Sequence, residues 1–442
     1  MPERSTDYDV VVIGAGFAGA TAARECATRN LRTLVLEGRD RLGGRTWTSS
    51  LSNGEVVEIG GTYVHWSQPH IWSEIIRYGL EANVVEAAVE PEWALVPTGS
   101  ALGWRPFTEF AAWEKVLLER VFEPSRAALP RPYDPLFTGD HVAAFDKMSV
   151  RDRLDQLDLA PADDAYLSAV FGMESSNSPD NASFLTLMRW WACAGHSYEG
   201  MQEAVYGYKL AGGVVGLLES IISDGGAEVR LGMPVRRVES RSTSVHVTTG
   251  DGNTVTAAAA VVATPVGIWP RIEFVPELST ERIDAAREGM QAPGSSKFIA
   301  VLRGEPRRFY AQPNWGHPIG FMWTSHMRTA DEQVAVIFGS PAMRDPGSPG
   351  ELKAAVQDLL PGVEIVESVA GTYLEGDEFA NGAWPFPRPG QLSRFVPHVN
   401  FTRQEGRLAF AASELAAGWC GFIEGALESG VQAARTVRGI LS

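Results

Sequence analysis

"DYDVVVIGAGFAGATAA", residues 7–23, decides how the rest of the chain is read. Residues 10–13 are a continuous apolar run, the composition of a parallel strand covered on both faces. The run leads into Gly14, Gly16 and Gly19 at G-x-G-x-x-G spacing. Gly14 permits a tight turn, Gly16 lets backbone approach a ligand, and Gly19 lets the next helix lie close against the strand. That helix aims its first amides and its dipole at a phosphate. "LRTLVLEG" follows as a second strand and ends on Glu37, 21 residues after Gly16. A carboxylate there accepts hydrogen bonds from ribose hydroxyls, which argues against a 2′-phosphorylated ribose. Strand, glycines, helix, strand and acid in this order make a dinucleotide site. They do not by themselves separate FAD from NAD.

The next stretch separates them. "RDRLGGRTWT", residues 39–48, sets a second glycine pair, Gly43 and Gly44, between Arg39 and Arg45. An NAD unit has no need of a second cationic glycine loop there. A permanently bound cofactor does, because its diphosphate is held by charge-assisted bonds throughout turnover. "EGRDRLGGRT" closely resembles the fingerprint of the flavin amine oxidases, the monoamine oxidase and polyamine oxidase group. "VEIGGTYVH", residues 57–65, is similar to that family's next segment, in which Gly60 and Gly61, followed by Thr62 and Tyr63, bring backbone to the flavin ring. The resemblance implies FAD and an α/β fold, a discontinuous Rossmann-like FAD-binding domain with an α+β substrate-binding domain.

Composition limits the partners. The formal net charge of −16 repels a phosphate backbone, so nucleic acid is excluded as a partner. Three scattered cysteines, Cys26, Cys193 and Cys420, supply neither a disulfide framework nor a zinc site, and reduced thiols fit a cytoplasmic protein. Eight thinly spread histidines form no metal motif, so no metal is expected. The polar start "MPERSTDYD" lacks an apolar signal core, and no run approaches the roughly 18 apolar residues of a membrane helix.

Along the chain, residues 1–88, 206–290 and 396–442 are assigned to the FAD-binding domain, and 89–205 and 291–395 to the substrate-binding domain. Helical runs such as "AAWEKVLLERVF" and "SVRDRLDQLDL" fall in the latter. "AEVRLGMPVRRVES", "SVHVTT" and "NTVTAAAAVVATP" read as strands, with Asp251-Gly252 as a hairpin signal. "SKFIAVL" and "QVAVIFG" suit a sheet beneath the substrate, and the chain closes with a strand, a loop and a long helix.

"GFIEGALESG" places a helix start after Gly421, where amides and dipole stabilise negative charge. In the resembled family this segment faces the pyrimidine end of the flavin. The resemblance implies Phe422 as an active-site wall, Ile423 as a backbone contact, and Ser413 and Glu414 of "AASE" near the ribityl-diphosphate chain. It also implies backbone near Val235 at the adenine and Tyr373 near the dimethylbenzene side. Lys297 sits in an otherwise apolar strand, where an unpaired lysine is costly. In the family a lysine at the matching place holds a water against flavin N5 and assists reaction with dioxygen. The resemblance also implies that Trp384 pairs with Phe422 as an aromatic cage whose π faces orient an amine. "NGAW" carries no cysteine before Trp384, so FAD is expected to be non-covalent.

The implied activity is oxidation of a hydrophobic primary or secondary amine. Hydride passes from its α-carbon to the flavin, the imine is hydrolysed, and oxygen returns as hydrogen peroxide. Within the family the segments are most similar to the bacterial 6-hydroxy-L-nicotine oxidase type, although Met173 stands where a polar contact is expected. The rivals are an L-amino-acid oxidase gripping a carboxylate through Arg189, and a non-catalytic escort protein. His65 and the aromatic stretch 189–197 are left between site and core, with core favoured for the stretch. A homodimer is an expectation from the family alone.

Overall fold

The opening stretch folds as the core of a nine-stranded sheet. The structure is a computed structural model and describes residues 6–395 and 404–442. Residues 396–403, with which the last predicted flavin-binding segment starts, lie outside the described residues. Tyr8–Ile13 (β1) pairs in parallel with Thr33–Leu36 (β2) on one side and with Thr254–Val262 (β3) on the other. Val10, Val11 and Val12 are 0% exposed, as an apolar run covered on both faces requires. Helix α1, Phe17–Ala27, crosses from β1 to β2. It packs on the C-terminal helix, Ile423–Leu441. At that contact Gly430 has no room for a side chain: a Cβ would lie 2.5 Å from the Ala18 carbonyl oxygen.

Glu228–Arg230 extends the sheet beyond β2, and Leu408–Phe410 adds to β3 in parallel. Val245–Thr249 pairs antiparallel with β3, through a turn in which Gly252 takes φ +85°. The Asp251-Gly252 hairpin is thus where the sequence puts it.

A second sheet of seven strands carries the other half of the molecule. Gly294–Arg303 (β4) lies inside it, antiparallel both to Glu332–Gly339 and to Glu364–Leu374. Residues 295–302 are all buried, so Lys297 is not the lysine of a wet strand edge. Ile319–Met327 follows on the far side of Glu332–Gly339. Helices cover this sheet's neighbourhood. Pro161–Ser175 (α2) opens on Pro161 with Asp163 and Asp164 in its first turn, an arrangement that suits the helix dipole. It ends where Ser176 turns left-handed, φ +46°. Phe184–Cys193 begins under a Ser183 cap that accepts the Thr186 amide. The predicted helices of this region form at Phe107–Val121 and Val150–Asp155. Among the described residues no helix is long and apolar enough to cross a membrane.

Candidate functional site

One continuous cavity runs from Glu37, Arg39 and Val235 to Lys297, Trp384 and Phe422. Its first end is built from backbone. Gly14 stands at φ +106°, and a Cβ on it would meet the Ala263 carbonyl oxygen at 2.8 Å. A Cβ on Gly16 would instead come no closer than 3.6 Å to Gly43, and Gly16, Gly43 and Gly44 all line the cavity. The space above Gly16 is the cradle a phosphate needs. Glu37 closes the loop: its carboxylate accepts the Ala15 amide at 2.7 Å and the Arg39 amide at 2.9 Å. Arg39 itself pairs with Asp377 at 2.7 Å.

Three of the candidate residues have close neighbours of their own. Gly19 does not line the cavity; its missing side chain makes room for the turn, since a Cβ would lie 1.9 Å from the Gly14 carbonyl oxygen. Glu414 does not line it either. It is 0% exposed and holds the Arg45 guanidinium by two bonds, at 3.0 and 2.9 Å, while Ser413 Oγ accepts a third at 3.1 Å. Arg45 therefore reaches the cavity with its charge already balanced, and Glu414 acts through it. Gly60 is small for a different reason than flavin approach alone: a Cβ would strike the Arg45 carbonyl oxygen at 2.6 Å and the Tyr373 hydroxyl at 2.8 Å.

At the second end Lys297 Nζ donates to Thr62 Oγ1 and, at 3.2 Å, to the Gly60 carbonyl. It also lies 5.3 Å from the Tyr63 ring centre and 5.4 Å from that of Phe338. Burial holds its ammonium well below the ordinary lysine range, against the opposing pull of Glu58. Among the described residues no hydrogen bond is made to the buried Tyr373 hydroxyl, although the Arg41 guanidinium lies near it, and Tyr373 lines the same cavity. Ile423 is the first residue of the C-terminal helix and Phe422 its N-cap, so the helix start faces the cavity. His70 and the Ile71 amide, each 2.7 Å from Glu424, fix that start.

Trp384 and Phe422 line the cavity without making a ring contact with each other. Phe422 leans on Trp190, centres 5.2 Å apart and nearly perpendicular. Trp190 also lines the cavity, so the stretch 189–197 is not core alone. Arg189 turns away: its guanidinium donates to the Ala416 and Ala417 carbonyls, at 3.4 and 2.9 Å. His65 bonds Ser67 at 2.7 Å and does not line the cavity. Sequence reasoning missed Tyr206, Phe321 and Phe338, which finish the aromatic wall. Tyr206 sits in a single π-helical turn, Glu203–Gly207, a feature with no composition signal that recurs at functional sites. Among the described residues no group of His, Cys, Asp or Glu is arranged to hold a metal.

The model of the family described as flavin containing amine oxidoreductase matches residues 17–438. The chain belongs to that family. This oxidoreductase is FAD-dependent, and the glycine cradle and the Glu37 loop fit such a cofactor. A pseudooxynicotine dehydrogenase of Pseudomonas sp is 35% identical over 97% of this chain and 86% of its own. An (S)-6-hydroxynicotine oxidase of Paenarthrobacter nicotinovorans is 29% identical over 96% of this chain and 97% of its own. Among solved structures, a double mutant of putrescine oxidase superposes with TM-score 0.82 over 98% of this chain and 99% of that one, at 20% identity, and so shares the fold. Membership of an oxidoreductase family sets aside the escort reading.

Proposed function

We propose that the chain oxidises a hydrophobic primary or secondary amine and passes the electrons to dioxygen. The observation that carries the reading is one cavity that joins a glycine-built phosphate cradle to an aromatic slot holding Trp384, Phe422 and a buried lysine. Bound FAD supplies the two-electron acceptor; the protein supplies the rest. Gly14, Gly16, Gly43, Gly44, Glu37, Arg39 and Val235 would hold the adenosine and diphosphate, and Gly60, Gly61, Tyr373, Ser413 and Ile423 the flavin end. Trp384 and Phe422 present π faces to the amine nitrogen and orient its α-carbon. Phe321, Phe338 and Tyr206 keep water from the slot, which strengthens every charge interaction inside it. Lys297, bonded to Thr62 and the Gly60 carbonyl, is set to hold a water at the ring. Ala383 precedes Trp384, so no thiol stands there to link the cofactor.

Two points distinguish the neighbouring readings. An L-amino-acid oxidase needs a cation for the carboxylate, and Arg189 spends its hydrogen bonds on backbone. The relatives' names divide between a dehydrogenase and an oxidase, which makes another electron acceptor the second reading. Their names also favour a nicotine derivative as the amine.

The test is anaerobic bleaching of the flavin by a panel of amines, then mixing with oxygenated buffer and peroxide detection. Bleaching by an amine and not by its α-carboxylated analogue, followed by rapid recovery with peroxide, supports the reading. Bleaching without recovery hands the chain to a different acceptor. No bleaching by any amine overturns it.

A further inference from the structure

A second cavity adjoins the first, and Glu174, Tyr206 and Phe321 line both. Its other walls are largely aromatic, with Phe110, Phe122, Phe171 and Tyr310 among them. Two carboxyls face this space, and they differ. Glu114 is partnered on both oxygens, accepting the hydroxyls of Tyr166 and of Tyr198, the latter at 2.7 Å. Glu174 lies near the end of α2, and among the described residues nothing donates to its carboxylate. Its backbone carbonyl accepts the indole N–H of Trp384 at 2.7 Å. That bond ties Glu174 to the aromatic slot in which the amine is oxidised. The neighbouring Met173, where a polar contact was expected, is 0% exposed and packed against Gly320, where a Cβ would meet its sulfur at 1.9 Å. Met173 and Glu174 both line the first cavity, and of the two only Glu174 is polar.

We propose that Glu174 anchors a second basic nitrogen of the substrate, set apart from the carbon–nitrogen bond that reacts. The inference rests on the amine-oxidising reading of the site and names the substrate class within it. A polar group left without partners in an aromatic cavity is costly, so a ligand that supplies the partner is favoured over one that does not. Burial, and behind it the charge of Glu114, pushes the Glu174 carboxyl up to about 8, so at neutral pH it carries a proton to share. A pyridine-type nitrogen accepts that O–H as a hydrogen bond. A more basic aliphatic amine takes the proton and leaves a carboxylate–ammonium pair. The flat aromatic walls suit the first source better.

The test compares matched substrates by the rate of anaerobic flavin bleaching per substrate concentration. One pair is a pyridyl-substituted amine and its phenyl isostere; the other is an α,ω-diamine and the monoamine of equal length. In the unaltered protein the pyridyl compound is expected to exceed the phenyl one by about tenfold or more. Glu174→Leu is expected to bring that ratio to about one, and Glu174→Gln, which keeps a donor, to preserve most of it. If instead the diamine exceeds the monoamine and both substitutions abolish the difference, Glu174 is confirmed with an ammonium as its guest. Equal rates within both pairs in the unaltered protein overturn the inference, whatever the variants do. So does Glu174→Leu slowing every amine alike. Bleaching by the phenyl amine or the monoamine in those cases leaves the amine-oxidising reading standing, while no bleaching by any amine removes both.

Discussion

The two ends of the long cavity are made of different material. The cradle end is backbone: Gly14, Gly16, Gly43 and Gly44, with Glu37 holding two amides. The slot end is side chain: Trp190, Tyr206, Phe321, Phe338, Trp384 and Phe422, brought from segments more than two hundred residues apart. A cradle of backbone tolerates little change, because a side chain on Gly14 or Gly43 would strike a backbone oxygen and one on Gly16 would fill the space above it. A wall of side chains tolerates exchange, because rotamers and neighbours absorb it. On the proposed function, the difference separates a part that keeps the cofactor fixed from a part free to vary the substrate.

Gly19→Val should break the comparison most visibly at the cradle. The new side chain starts 1.9 Å from the Gly14 carbonyl oxygen, so the turn must move. The expected outcome is a loss of about 4 kcal/mol or more in stability and a protein purified colourless, read by thermal melting and visible absorption. A flavin-loaded variant would mean the turn has slack that the comparison denies.

Trp384→Ala acts at the other end. Amine-dependent bleaching should fall about a hundredfold while the flavin spectrum of the resting protein persists, because only orientation in the slot is lost. Loss of the flavin itself would show that the slot also holds the cofactor. Lys297→Met sits between the two ends. It should slow recovery of the bleached flavin by oxygen about thirtyfold and bleaching by amine far less, both read by stopped-flow absorption. Equal slowing of both steps would reduce the lysine to packing. Since burial lowers its pKa, the unfolded chain binds more protons than the native one between the two values. Lys297 therefore makes the native state gain stability as pH rises toward the ordinary lysine range, and Lys297→Met should flatten that part of the melting profile.

Tyr373→Phe carries the smallest expected effect. Its hydroxyl makes no hydrogen bond among the described residues, with the Arg41 guanidinium near it. If the cofactor takes that bond, removal weakens flavin retention by about three- to tenfold, measured by equilibrium dialysis. No change would place the hydroxyl outside the cofactor's reach.

Much of the cradle was legible in the sequence, because each part of it is local. Turn, helix start and the Glu37 carboxylate lie within residues 7–37, and a glycine's purpose can be read from its neighbours in the chain. The same holds for the Asp251-Gly252 turn and for the strands on either side of it. Lys297 was legible as an oddity, a charge in an apolar strand, but its depth was not: only the pairing of β4 on both edges buries it. The resemblance placed Glu414 near the ribityl-diphosphate chain, whereas the fold sets it behind Arg45, away from the cavity wall.

The sequence by itself determined the dinucleotide unit, the flavin loops and the family, since backbone turns and helix starts are written in consecutive residues. Only the tertiary structure decided which side chains share the slot. Glu174 joins Met173 at the cavity wall, and Arg189 was spent on the Ala416 and Ala417 carbonyls. The reason is geometric: a cavity wall is assembled from the ends of distant strands and helices, and which face each one shows is settled by packing rather than by local preference.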